Sequence, residues 1–173
     1  SSAPQVDVVV HSMGGLILRA YLSGKQNAAG VFRPPADHKV RKAVFLATPH
    51  YGPGLATLLL QFGGSDPQVR QLLPGSQFLY ELGTWNQGAD DLRGVDSLSV
   101  IGSVQNAGDG LVLVPSAANP VSPLERTRVV PYCHTDVGLL ALAASACARP
   151  PHIANVTAGN HLSWRIGVSL GAG

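Results

Sequence analysis

The sequence predicts an α/β domain, a mostly parallel sheet flanked by helices with a helical insert after the second strand. Short, continuous runs of β-branched and apolar residues recur along the chain and alternate with helical or loop segments, which is the pattern of parallel strands. The first of these runs breaks abruptly into a Gly-Gly turn and then a helix. At 173 residues with 45% hydrophobic content the chain can bury one sizeable core. It reads as a single domain over residues 1–173.

Val6, Val8, Val9 and Val10 make a short β-branched run, expected as a strand buried on both faces. Leu16 to Leu22 is expected as a helix, with Leu16, Ile17, Ala20 and Tyr21 recurring at helical spacing and Arg19 free to face solvent. Between them, Gly14 and Gly15 remove the Cβ where the helix must pass close to the strand, which leaves Ser12 at the apex of a strained turn. A second strand from about Val40 to Ala47 ends in a Thr-Pro-His turn. The segment from Gly52 to Val95 is the insert, with helical pieces at 55–62, 67–73 and 76–82. Its leucines and aromatics suit equally a cap over an apolar pocket and a helical layer packed on the sheet. The third strand is "SLSVIGSV". The fourth is "TRVVPYC", whose Pro131 must sit at its end or on an edge because proline cannot donate to the ladder.

Composition narrows the function. The net charge is only +2 with no Lys/Arg cluster, so the basic footprint of a nucleic-acid binder is missing. No apolar stretch has the length of a membrane span, and no signal peptide is legible at Ser1. Cys133 and Cys147 permit one disulfide but equally suit two buried thiols, so the compartment stays open between secreted and cytoplasmic. Neither H-E-x-x-H nor a Cys/His pairing at ligand spacing is present, and no metal or other cofactor is expected.

A serine hydroxyl at a tight strand-to-helix turn is a weak nucleophile until a base takes its proton and a third group orients that base. In a parallel sheet those partners belong at the carboxyl ends of later strands. Asp109 stands in a glycine-flanked loop directly after the third strand and fits the acid, although Asp-Gly is also an ordinary turn signature. His134 closes the fourth strand and fits the base, where a lone histidine would otherwise read as structural. The order Ser, Asp, His, each just beyond its own strand, favours the joint reading.

The stretches "VVVHSMGGLILRAYL", "VFLATPHYGPGLA", "LLPGSQFLYEL", "GDGLVLVPSA" and "VVPYCHTDVGLL" together resemble the catalytic half of the α/β-hydrolases, bacterial lipases and related esterases in particular, from about Val6 onward. Val10 stands where the common G-x-S-x-G signature has its first glycine. The resemblance implies a partial α/β-hydrolase fold and cleavage of an uncharged carboxylic ester or lipid by a triad of Ser12, Asp109 and His134. The backbone N–H of Met13 would be one oxyanion donor. His11, packing beneath the turn, His50 and Tyr51 are assigned to the substrate pocket. His161 is the second choice for the base, because His-x-x-Trp segments occur near the C-terminus of relatives. Some bacterial lipases hold a structural calcium near their histidine loop, for which Asp136 is a candidate without an acidic cluster around it.

In that family several strands precede the nucleophile, and a loop among them gives the second oxyanion donor. Here about five residues precede the first strand, so the chain is expected to be the C-terminal part of a longer enzyme with an exposed sheet edge prone to self-association. The alternative expectation is a weak or inactive hydrolase fragment that serves as an interaction module.

Overall fold

The computed structural model describes residues 4–54, 67–86, 91–104, 108–118, 121–131 and 133–134. The expected helical piece at 55–62, together with Asp136, Cys147 and His161, lies outside the described residues. The elements are β1 (Val6–His11), α1 (Met13–Ser23), β2 (Val40–Leu46), α2 (Pro67–Leu72), α3 (Gln77–Thr84), β3 (Asp96–Gly102), the short α4 (Val114–Ala117), a 3-10 turn (Leu124–Arg126) and β4 (Thr127–Val130). Among the described residues the strands form one sheet in the order β1-β2-β3-β4, every neighbouring pair parallel. Pro131 falls directly after β4, where a missing N–H costs no ladder bond.

A parallel sheet built in chain order brings every strand exit to the same edge. In the register β1 and β2 end level at His11 and Leu46, and β3 and β4 run two residues further to Gly102 and Val130. The core lies between the sheet and α1. Leu18 and Leu22 of the helix pack with Val40, Ala43 and Phe45 of β2 and with Leu92, Val95 and Val121. Each such side chain is worth roughly 1.5–3 kcal/mol when fully buried. A second cluster joins α1 to α3 through Leu16, Leu79 and Leu82. An ion pair from Lys25 to Glu81, 2.7 Å, ties the segment after α1 to the same helix. The lysine's hydrogen bond holds the Glu81 carboxyl below its ordinary range.

Two expectations are corrected here. The first strand is not buried on both faces. Val8 and Val10 pack against the core on the face that α1 covers, whereas Val9, which points to the opposite face, is 65% exposed, and Val6 at the strand's start is also exposed. A continuous run of valines looks the same in a central strand and at an edge. The helix also presents a different face from the expected one. Its buried residues are Gly15, Leu16, Leu18, Arg19, Leu22 and Ser23, while Ile17 is 61% exposed and Tyr21 is exposed too. Arg19, expected in solvent, is interior.

The glycines explain how α1 can come so close. A Cβ on Gly14 would meet only the Cβ of Val10 at an ordinary 3.8 Å. A Cβ on Gly15 would lie 2.1 Å from Thr48 Oγ1 and 2.5 Å from Thr48 Cγ2. The tight approach is therefore to the exit of β2 and not to the strand that precedes the helix. At the other end Gly24 takes a left-handed conformation (φ 63°, ψ 34°) and its N–H closes the helix on Ala20 and Tyr21. Gly15→Ala should destabilise the protein by about 1–3 kcal/mol through overpacking. Thermal unfolding of Gly15→Ala and of Gly15→Ala/Thr48→Ala should show part of the loss recovered in the double variant. Equal melting of Gly15→Ala and the parent would contradict the contact.

Candidate active site

β1 delivers the chain to Ser12, whose backbone sits at φ 53°, ψ −129°. Such a conformation costs a non-glycine residue of order 1–3 kcal/mol and persists only where its surroundings over-determine it. They do so from both sides. The Ser12 N–H donates to the Leu46 carbonyl at the end of β2, 2.9 Å, and the Ser12 carbonyl accepts from Gly15 N–H, 3.1 Å, to start α1. The hydroxyl is thereby lifted to the strand-exit edge. The Met13 N–H, first in the helix, has no intrahelical carbonyl to reach and points from the N-terminal end where the helix dipole is positive.

Asp109 lies in the loop after β3 and is 2% exposed. One carboxylate oxygen, Oδ1, accepts from the N–H groups of Leu111 (3.0 Å) and Val112 (2.7 Å), which fixes the side chain. The other, Oδ2, lies 2.7 Å from His134 Nδ1. His134, buried just beyond β4, also donates its backbone N–H to the Asp109 carbonyl, 2.8 Å. With Nδ1–H given to the carboxylate, the neutral ring presents Nε2 as an acceptor, and it stands 2.8 Å from Ser12 Oγ. The hydroxyl, the imidazole and the carboxylate thus form one continuous hydrogen-bonded line. Neighbouring Cys133 is disulfide-bonded.

The remaining residues singled out from sequence take distinct places. The His11 ring packs on His134 with centroids 4.7 Å apart, and its basicity is lowered by burial first and by the nearby His134 charge second. Tyr51 is exposed beside the strand exits. His50 is 1% exposed and sits behind the site, its Nδ1 3.3 Å from an Nη of Arg19 and its ring 5.5 Å from that of Phe45. Burial, and then the Arg19 charge, hold His50 well below the ordinary imidazole value. Sequence reasoning missed Arg19 as a partner altogether. The signal available was the spacing of Leu16, Arg19, Leu22 and Ser23, with small Gly15 and Ser23 on the same face. Among the described residues, no group of three or more His, Cys, Asp or Glu side chains is placed to hold a metal, and no helix is long and apolar enough to cross a membrane.

Comparisons agree on the architecture. No protein-family model matches the chain, and no curated protein matches it in sequence. Its fold is similar to that of lipase BlEst2 from Bacillus licheniformis. For the mature form the TM-score is 0.54 at 19% identity, covering 76% of this chain and 59% of that one. For the propeptide form it is 0.56 at 18% identity, covering 76% of this chain and 32% of that one. This chain therefore spans less than two thirds of the lipase. The four parallel strands flanked by helices are those of a partial α/β-hydrolase fold.

His50 also makes a pH prediction. Its folded value lies below the 6.5 of a free imidazole. Above that pH both folded and unfolded rings are neutral and His50 contributes no pH dependence. As pH falls below it the unfolded chain binds a proton that the folded chain refuses, so stability declines by up to about 1.4 kcal/mol per pH unit. Urea unfolding at pH 7.5 and 5.5 should show this decline in the parent and a smaller one in His50→Asn. Identical declines would mean that His50 charges as readily when folded as when unfolded.

Proposed function

We propose that the protein is a serine hydrolase acting on carboxylic esters, with Ser12 as nucleophile, His134 as general base and acid, and Asp109 as the group that orients the imidazole. The observation that carries this reading is the unbroken line from Ser12 Oγ to His134 Nε2 (2.8 Å) and from His134 Nδ1 to Asp109 Oδ2 (2.7 Å). The fold likeness to a lipase supports it at the level of architecture.

In this reading His134 Nε2 takes the Ser12 proton as Oγ bonds to the ester carbonyl carbon. The buried Asp109 carboxylate, already anchored by two backbone N–H groups, stabilises the imidazolium that forms. The Met13 N–H donates to the developing oxyanion, a contact of the kind whose removal costs about 100- to 1,000-fold in turnover. The imidazolium returns its proton to the departing alcohol. Water, deprotonated by the same nitrogen, then attacks the acyl carbon, and as the acid leaves the imidazolium returns that proton to Ser12 Oγ. An uncharged ester with an apolar acyl chain fits a site bordered by Tyr51, with His11 beside the base.

Ser12→Ala should abolish hydrolysis of short p-nitrophenyl esters while the circular dichroism spectrum stays parental, because alanine removes only the hydroxyl. His134→Ala should abolish fluorophosphonate labelling of Ser12. Asp109→Asn should lower turnover by up to about 10,000-fold, since an amide no longer holds the imidazole in the productive tautomer. Activity of Ser12→Ala within twofold of the parent would sink the reading.

Among the described residues no strand lies on the outer side of β1, and this favours a second reading, an interaction module that uses that edge and the exposed Val6 and Val9 to pair with another chain. For the same reason we expect self-association of the isolated chain. A monomer at all concentrations by size-exclusion chromatography, with light scattering, would argue against that surface as an interface.

A further inference from the structure

The buried polar groups that this chemistry leaves unused converge behind the nucleophile. Arg19, on α1 and 3% exposed, divides its guanidinium between two other elements. One Nη donates to the Leu82 carbonyl on α3 at 2.8 Å, and the other lies 3.3 Å from His50 Nδ1. His50 in turn donates its backbone N–H to the carbonyl of Ser116 on α4, 3.1 Å. Ser116 Oγ donates to the Gly52 carbonyl, 2.7 Å, and accepts from Tyr51 N–H, 3.1 Å. The Gly54 N–H donates to the Leu111 carbonyl, 3.0 Å, and Leu111 is one of the two residues whose N–H groups anchor Asp109. Hydrogen bonds therefore lead from the helix that starts at Ser12 to the loop that carries the carboxylate, by way of Arg19 and His50.

The orientation of the His50 ring is set by this arginine. A guanidinium can only donate, so Nδ1 accepts and the ring proton is on Nε2. That Nε2–H, like Thr48 Oγ1, has no hydrogen-bond partner among the described residues. The ring thus leaves its own donor unpaired in order to accept from Arg19. An arginine removed from water loses strong hydration, so keeping one interior points to a task that an apolar residue could not perform.

We propose that Arg19 and His50 are positioning residues, a buried guanidinium–imidazole strut that fixes the Ser12 helix against the loops of β2 and β3 and so sets where the Ser12 hydroxyl stands relative to His134. Its effect on rate rests on the serine-hydrolase reading, but its effect on geometry does not. Helix α1 turns about the tight Gly15–Thr48 contact near its start, and Arg19 holds it one turn further on. Loosening that hold displaces Oγ, and a displacement on the order of 1 Å can cost about 100-fold in rate.

Four variants test the strut: Arg19→Met, Arg19→Lys, His50→Leu and His50→Asn. Asn Oδ1 stands close to the place of Nδ1 and can accept from the arginine, whereas leucine cannot. Three readouts apply to each: kcat and KM on a p-nitrophenyl ester, the rate of fluorophosphonate labelling, and the far-downfield proton resonance of His134 Nδ1–H. Arg19→Met and His50→Leu should lower kcat and labelling by about 10- to 100-fold with KM within twofold, and should shift the His134 resonance. Arg19→Lys, which keeps the charge but loses the fork, should fall between, and it takes the place of Arg19→Met should that variant fail to fold. His50→Asn should stay within about threefold of the parent. Parental labelling and an unmoved resonance in folded Arg19→Lys and His50→Leu would overturn the proposal. So would equal losses in His50→Asn and His50→Leu, which would assign the effect to ring packing on Phe45. Absence of labelling in the parent would refute the hydrolase reading alone, and the His134 resonance across the variants would still decide the strut.

Discussion

The conformation of one residue governs the rest of the site. Ser12 has a backbone that an L-residue avoids, at φ 53°, and everything around it can be understood as what keeps it there. Its N–H is taken by Leu46, its carbonyl begins α1, and α1 is pressed to the exit of β2 because Gly15 offers no Cβ to Thr48. The helix is then held along its length by burial of Leu16, Leu18 and Leu22. Relaxing any of these lets Ser12 move toward ordinary backbone, and the hydroxyl would drop from the strand-exit edge. Strain at one position is thus maintained by packing spread over two layers.

The sheet places the other two groups but does not by itself bring them together. Ser12 follows β1 and His134 follows β4, three interstrand steps apart, which at about 4.8 Å per step separates the strand axes by roughly 14 Å. The loops close that gap. Ser103 N–H donates to the Val130 carbonyl, and His134 N–H donates to the Asp109 carbonyl, so the chain leaving β4 turns back over β3. The Asp109 loop is itself curled, with Asp109 N–H on the Val112 carbonyl and the carboxylate on the N–H groups of Leu111 and Val112. A carboxylate held by its own loop and then by an imidazole leaves that imidazole one remaining direction, toward Ser12.

Strand exits were legible in the sequence because polar and glycine-rich residues follow continuous apolar runs there, and in a parallel sheet those exits share an edge. That logic located Ser12, Asp109 and His134, which the structure brings within hydrogen-bonding distance. Which face of α1 turns inward was not legible. In a window of seven residues, Leu16, Ile17, Ala20 and Tyr21 make as good a stripe as Leu16, Arg19, Leu22 and Ser23, and a charged side chain is placed outward by default. The deciding fact is the partner: His50 and the Leu82 carbonyl are waiting for a donor, and they come from segments 31 and 63 residues away. Periodicity carries no information about contacts of that range. The status of β1 was hidden for a similar reason, since edge and centre differ in neighbours and not in composition.

Among the described residues, β1 has only β2 beside it, and this shapes how the nucleophile can be held. In a strand flanked on both sides, ladder bonds from two neighbours would share the task of fixing its end. Here the constraint comes from one direction, through the β2 ladder, the Leu46 carbonyl, the Thr48 side chain and His50. The exit of β2 carries the buried side chains of Thr48 and His50, whose Oγ1 and Nε2 atoms have no hydrogen-bond partner among the described residues, where an ordinary turn would face water. A buried arginine reaching across from α1 to His50 and the Leu82 carbonyl supplies a second fixed point for the helix that Ser12 begins. The strut thus adds to the hold that β2 exerts on the strand and helix that Ser12 joins.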